Sequence, residues 1–214
     1  MKNKRKNLII TGTAFGVVFA VWTLLIKTVD VRPLGVNGTD IGFATVNVHF
    51  HSFTVVNMKL YTITDWLGLV PLIVCMAFGA VGFLQLIKRK SLFKVDSDII
   101  VSGVYYVIVL VCYLFFEMYP INFRPILING IAEASYPSST TLLVLTVMPT
   151  LVSLTDCRIK NEKVKKIIRF ATVVFCLIIV TGRAISGVHW ITDIIGSVFL
   201  SAGLFCIYKA VNER

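Results

Sequence analysis

The chain has 214 residues, 57% of them hydrophobic, and a mean hydropathy of +0.84. That composition excludes an ordinary water-soluble domain and matches a helical membrane protein. The net charge of +10 does not argue for nucleic acid, because the Lys and Arg residues form clusters that alternate with apolar stretches, a membrane-topology pattern. The five cysteines are not a disulfide framework. Cys75, Cys112, Cys176 and Cys206 lie in apolar runs and Cys157 stands beside a basic loop, so all read as reduced packing residues.

The chain opens on Lys2, Lys4, Arg5 and Lys6, followed by an apolar run over 8–26. A charged start and an apolar core resemble a signal peptide. No small-residue cleavage site is clear after the run, and its length suits a bilayer, so it reads as a retained membrane helix. Residues 28–65 form an outer loop. Asp30-Val31-Arg32-Pro33-Leu34-Gly35 and Asn37-Gly38-Thr39-Asp40 are rich in turn formers, and the mixed stretch from Ile41 to Val56 predicts an interfacial or re-entrant segment. His49 and His51 lie there as His-x-His, a spacing that puts both on one side of a strand. With no Cys, Asp or Glu close by, no metal site is expected.

Further spans are predicted over 66–87, 99–116, 140–154, 167–181 and 191–210. Lys88, Arg89, Lys90 and Lys94 follow the second span; Arg158, Lys160, Lys163, Lys165, Lys166 and Arg169 follow the fourth; Lys209 and Arg214 close the chain. With six spans all these clusters fall on one side, which the positive-inside rule makes cytoplasmic. The expected architecture is an all-α integral membrane protein: a six-transmembrane-helix bundle forming one membrane domain over 1–214, with cytoplasmic N- and C-termini. Residues 28–65, 117–139 and 182–190 then face outward. Trp22, Trp66 and Trp190, near span ends, read as interface anchors.

The unusual residues sit in the outer turns. Gly182-Arg183-Ala184-Ile185-Ser186-Gly187-Val188-His189-Trp190-Ile191-Thr192-Asp193 joins the last two spans. His189 and Asp193 are four apart, so on a helix they share a face and touch. A carboxylate on one imidazole nitrogen fixes the tautomer and leaves the other free as a base or nucleophile. Arg183 brings a planar fork suited to phosphate. The plainer reading is a polar turn capping two helices. The earlier outer loop reads Glu117-Met118-Tyr119-Pro120-Ile121-Asn122-Phe123-Arg124-Pro125 and later Glu133-Ala134-Ser135-Tyr136-Pro137-Ser138-Ser139-Thr140-Thr141. A helix starting at Ser138, Ser139 and Thr140 presents free amides and the positive end of its dipole, an anion site. Two arginines, a helix N-terminus and a His–Asp pair converging on one face suit a phosphate.

Arrangement and spacing resemble the type 2 phosphatidic acid phosphatase family of integral membrane lipid phosphatases. Its signatures are a Lys, six residues, then Arg-Pro; a Pro-Ser-Gly-His; and a Ser-Arg, five residues, His, three residues, Asp. Here they appear as Glu117 with Arg124-Pro125, as Pro137-Ser138-Ser139-Thr140, and as Gly182-Arg183 with His189 and Asp193. The resemblance implies that His189 attacks phosphorus to form a phosphohistidine and that Asp193 orients it. Arg124, Arg183 and the amides near Ser138, Ser139 and Thr140 would hold the phosphoryl oxygens. It implies no metal and no cofactor.

Three positions depart from the pattern. Thr140 stands where the family has the histidine that protonates the leaving group, Glu117 replaces the lysine, and Gly182 replaces a phosphate-binding serine. General acid catalysis is worth about a hundred- to ten-thousandfold, so its loss must be compensated. A diphosphate, which leaves as phosphate, needs little protonation, and this favours a polyprenyl diphosphate-like lipid. Glu117 or Glu133 is the candidate replacement acid. The expectation is a lipid phosphate or diphosphate phosphohydrolase in the plasma membrane, bacterial, with its site facing outside. Its partners are the bilayer and its lipid substrate, with no nucleic acid, and the oligomeric state is left open. A lipid phosphotransferase and a non-catalytic lipid-phosphate binding or transport protein are the alternatives.

Overall fold

The computed structural model describes residues 2–213, and Arg214 lies outside them. Helix follows from the apolar runs, because in hydrocarbon every backbone N–H and C=O must be satisfied within the segment. The described residues form α1 (Lys2–Thr28), α2 (Ala44–Phe53), α3 (Met58–Leu67), α4 (Val70–Arg89), α5 (Ser97–Met118), α6 (Ser139–Arg158), α7 (Glu162–Ile185) and α8 (Ile191–Asn212). No sheet forms among them, only isolated bridges. Six segments are long and apolar enough to cross a membrane, with α3 and α4 counting as one over Met58–Arg89. The fold is an all-α, multi-pass membrane bundle.

The second span therefore starts earlier than the hydropathy suggests. Asn57 initiates α3 by accepting the Leu60 amide at 3.0 Å, a side-chain cap that substitutes for apolarity at the helix start. The His-x-His segment is also helical, within α2, so His49 and His51 do not share a face as they would on a strand. His49 packs edge-on to Phe53, while His51 donates from Nε2 to the Gly187 carbonyl at 3.0 Å.

The bundle is organised around α6. Val144, Val147 and Met148 of α6 pack with Val74 of α4 and with Cys176 and Ile179 of α7. Tyr105 and Val109 of α5 pack against Tyr208 of α8. Thr146, Thr150 and Thr155 of α6 satisfy their hydroxyls on its own carbonyls, as Thr146 does on Leu142 at 2.7 Å. Helices α1 and α8 run close together where the small residues Gly12 and Gly203 meet. Large apolar side chains such as Leu24, Phe83, Val107 and Phe170 point outward, as the lipid-facing side of a bundle requires.

Ion pairs gather the basic helix ends at one end of the bundle. Lys4 pairs with Glu213, Arg89 with Asp96, Arg158 with Asp98, and Arg169 with Asp156. These contacts join the start of α1 to the residue after α8, and the ends of α4 and α6 to the starts of α5 and α7. The loops 119–138 and 186–190 therefore lie at the opposite end.

Candidate functional site

The loop before α6 folds back on itself as a short hairpin. Asn129 and Gly130 both have positive φ, 49° and 79°, the backbone that a tight two-residue hairpin turn needs. Ile128 bridges Ile131 across the turn, and after a two-residue offset Phe123 bridges Ala134 and sets the register of the outer part. That register places Arg124 opposite Glu133 and Asn122 opposite Ser135, through Arg124 N–H to Glu133 O at 3.1 Å and Ser135 N–H to Asn122 O at 2.9 Å. One hairpin thus delivers an arginine, a serine and an asparagine to the same place.

His189 stands in the turn before α8, not on the helix, and is almost completely buried. Its Nδ1 is 3.9 Å from Asp193 Oδ2, so the expected direct contact is replaced by a relay. Ser135 Oγ lies 3.1 Å from His189 Nδ1 and donates to Asp193 Oδ2 at 2.5 Å. Because that hydroxyl proton points to the carboxylate, the serine oxygen accepts Nδ1–H, which leaves Nε2 unprotonated. Asp193, three residues into the first turn of α8, also accepts the Trp190 amide at 3.0 Å and Asn122 Nδ2 at 3.3 Å. A buried carboxylate is held here by three donors at the positive end of a helix.

Nε2 faces two guanidiniums. Arg183 Nη2 is 2.9 Å from it and Arg124 Nη1 3.4 Å. Both cations lie over the Tyr61 ring, at 4.8 and 5.5 Å, a cation–π arrangement. Arg183 Nη1 reaches Asp65 Oδ1 at 3.4 Å, and Arg124 Nε is 3.1 Å from Glu133 Oε2 without hydrogen-bond alignment. The Nε atoms of both arginines are buried donors with no hydrogen-bond partner. Burial holds the His189 imidazole well below its ordinary pKa of 6.5, with the charges of Arg124 and Arg183 adding to that effect.

The remaining expected residues lie around this centre. Ser138 does precede α6, but its amide donates to the Asp193 carbonyl at 3.4 Å and its hydroxyl to Thr141 at 3.1 Å. The amide expected to face phosphate instead ties α6 to α8. Ser139 and Thr140 open the helix, where amides have no partner within it. The Thr140 methyl packs on Gly68, at the α3–α4 junction. Glu117 is exposed and lines a shallow cleft with Ser139 and Tyr136. Glu133 faces Arg124. Trp190 is buried and donates to the Phe123 carbonyl at 2.9 Å. It is a strut between the two loops, not an interface anchor; Trp66, largely exposed, remains in an anchor's position.

Sequence reasoning missed Ser135, Asn122, Tyr61 and Asp65. The Asn129-Gly130 pair signals a hairpin turn, but the two-residue offset beyond it, which sets Asn122 opposite Ser135, has no local signal. Nothing local marks Tyr61 and Asp65, which approach across more than a hundred residues of chain.

The protein is a multi-pass helical membrane bundle whose loops hold a buried histidine between two arginines. Residues 115–214 match the family model described as the PAP2 superfamily. That stretch, just under half of the chain, holds every motif residue from Glu117 to Asp193, so the likeness to the PAP2 superfamily rests on the same residues as the site. None of the curated proteins compared matches the chain. Among solved structures, the fold is similar to that of the first transmembrane PAP2 type phosphatidylglycerolphosphate phosphatase from Bacillus subtilis. The TM-score is 0.62 at 17% identity, over 94% of this chain and 96% of that one.

Proposed function

We propose that the protein is a lipid phosphate or diphosphate phosphohydrolase acting through a phosphohistidine at His189. The observation that carries this reading is the buried His189 ring, whose Nε2 faces Arg183 and Arg124 at 2.9 and 3.4 Å. A phosphoryl group entering there displaces the guanidiniums from the imidazole onto its own oxygens. The Nε2 lone pair forms a bond to phosphorus as the bond to the leaving oxygen breaks. The Arg183 and Arg124 donors then stabilise charge as it redistributes over the equatorial oxygens. Ser135 and Asp193 hold the Nδ1 proton and the imidazolium that forms. Amides of Ser139 and Thr140 add the positive end of the α6 dipole.

Thr140 supplies a hydroxyl that does not donate a proton usefully near neutral pH. A leaving phosphate tolerates that better than a leaving alkoxide, which favours a polyprenyl diphosphate-like substrate. Clustering of the Lys and Arg residues at the end opposite the site supports a plasma-membrane orientation with cytoplasmic termini and an outward-facing site.

The test is phosphate release by the detergent-purified protein from polyprenyl diphosphate and from phosphatidic acid, with His189→Ala as the control. Turnover that is faster on the diphosphate and lost in the variant is expected. Tight binding without turnover of either lipid would show a binding protein, and transfer to a second lipid in place of water a phosphotransferase.

A further inference from the structure

Breaking a phosphohistidine requires a group that accepts a proton from water, and neither motif loop offers an obvious one. Thr140 has no basic group, Asp193 is buried and already engaged by three donors, and Glu117 is exposed beside the cleft that contains Ser139. Glu133 faces the Arg124 Nε edge, while Nη1 of the same residue is the atom near the imidazole. A different element reaches the other arginine.

Helix α3 packs on α7 at Gly182. A Cβ there would lie 2.7 Å from Thr64 Cγ2, a buried β-branched side chain with little freedom to move. One turn later Gly68 meets the Thr140 methyl, where a Cβ would again come within 2.7 Å. These two close approaches press α3 against the site. They bring Tyr61 and Asp65, four apart on one face, onto Arg183. The Arg183 guanidinium then bridges two groups, with Nη2 on His189 Nε2 at 2.9 Å and Nη1 on Asp65 Oδ1 at 3.4 Å. Arg183 and His189 are buried, whereas the Asp65 side chain is 54% exposed. Asp65 is thus the exposed carboxylate that reaches the cation facing the nucleophile.

We infer that Asp65 is the general base of the second half-reaction, a role that rests on the phosphohistidine reading above. A water between Asp65 and the phosphoryl group gives one proton to the carboxylate, and its oxygen bonds to phosphorus. The P–Nε2 bond breaks and its electron pair returns to His189. Inorganic phosphate leaves, and Asp65 loses its proton to bulk water. Arg183 orients both partners, holding the carboxylate with one nitrogen and a phosphoryl oxygen with the other.

The experiment is rapid-quench kinetics with polyprenyl diphosphate on the full chain, following the lipid product and protein-bound phosphate together under alkaline quench, which preserves the P–N bond. For Asp65→Asn, near-isosteric and therefore gentle on packing, a burst of about one product per protein with accumulation of phosphohistidine is expected. Steady-state turnover falls by about 10²- to 10⁴-fold, and Asp65→Glu recovers part of it. A purely structural role would lower the burst rate and the steady state together with no phosphoenzyme accumulating, and that result overturns the assignment. Wild-type turnover in Asp65→Asn overturns it too. Failure of the underlying reading looks different, because then the wild-type protein shows no His189-dependent phosphoenzyme at all.

Discussion

The two ends of the bundle use the same side chains to opposite effect. At one end Arg89, Arg158 and Arg169 pair with Asp96, Asp98 and Asp156 at 2.7 to 2.8 Å. The arginine side chains remain 28 to 53% exposed. Pairs of this kind contribute little, about 0–1 kcal/mol, and salt screens them. At the other end Arg183 is completely buried and Arg124 nearly so, each with an Nε that makes no hydrogen bond, around a buried histidine. Burying cations without complete pairing is destabilising by several kcal/mol. The contrast separates topology from chemistry: the basic clusters tie the helix ends together, and the buried arginines frame the His189 imidazole.

The largest break in that contrast is expected from Arg183→Ala. It removes the donor nearest to Nε2 and should lower kcat/KM by about 10²- to 10³-fold. Arg183→Lys should recover little, because one ammonium cannot bridge Asp65 and a phosphoryl oxygen as a planar fork does. Steady-state assays of both variants check this. Ser135→Ala comes next. It removes the relay between His189 and Asp193 and lets the ring tilt, with an expected loss of up to about 10²-fold in kcat. If the rate is unchanged, Asp193 holds the ring without the serine.

A gentler probe is pH. His189 is held below its ordinary pKa of 6.5 by burial and by two neighbouring cations. As pH falls through that ordinary value, the unfolded chain binds a proton that the folded chain refuses, so this group's contribution lowers stability on the acid side. Activity should persist below it, with the acid limb of kcat/KM set by His189 lying well under 6.5. The smallest effects belong to the opposite end. Arg158→Ala should leave the rate within about twofold and change stability by about 1 kcal/mol or less. Glu117→Gln, altering an exposed carboxylate, should likewise leave the rate nearly unchanged; a large loss would revive Glu117 as the acid.

Much of the bundle was legible because its signal is local. Apolar runs long enough to span a bilayer must be helical, and all six contain or overlap the expected stretches. Arg124, Arg183, His189 and Asp193 were legible from motif spacing, and they do come together. What spacing hid is how they connect. Ser135 intervenes between His189 and Asp193 because the histidine lies in the turn before α8, outside the helix on which an i, i+4 contact would form. Trp190 looks like an anchor by position, yet its indole is needed to join two loops. The contribution of α3 is non-local: Thr64 fits at Gly182 only because that position lacks a side chain. A missing serine in the motif is therefore the place where Asp65 and Tyr61 gain entry to the site.

The central claim is that His189 Nε2 carries the phosphoryl group. Mass spectrometry of alkaline-quenched protein after brief mixing with polyprenyl diphosphate measures this directly. The account predicts one phosphate on the peptide containing His189, formed at a rate no slower than turnover and absent in His189→Ala. Phosphate release that proceeds without that adduct, at the same rate in the variant, would contradict it.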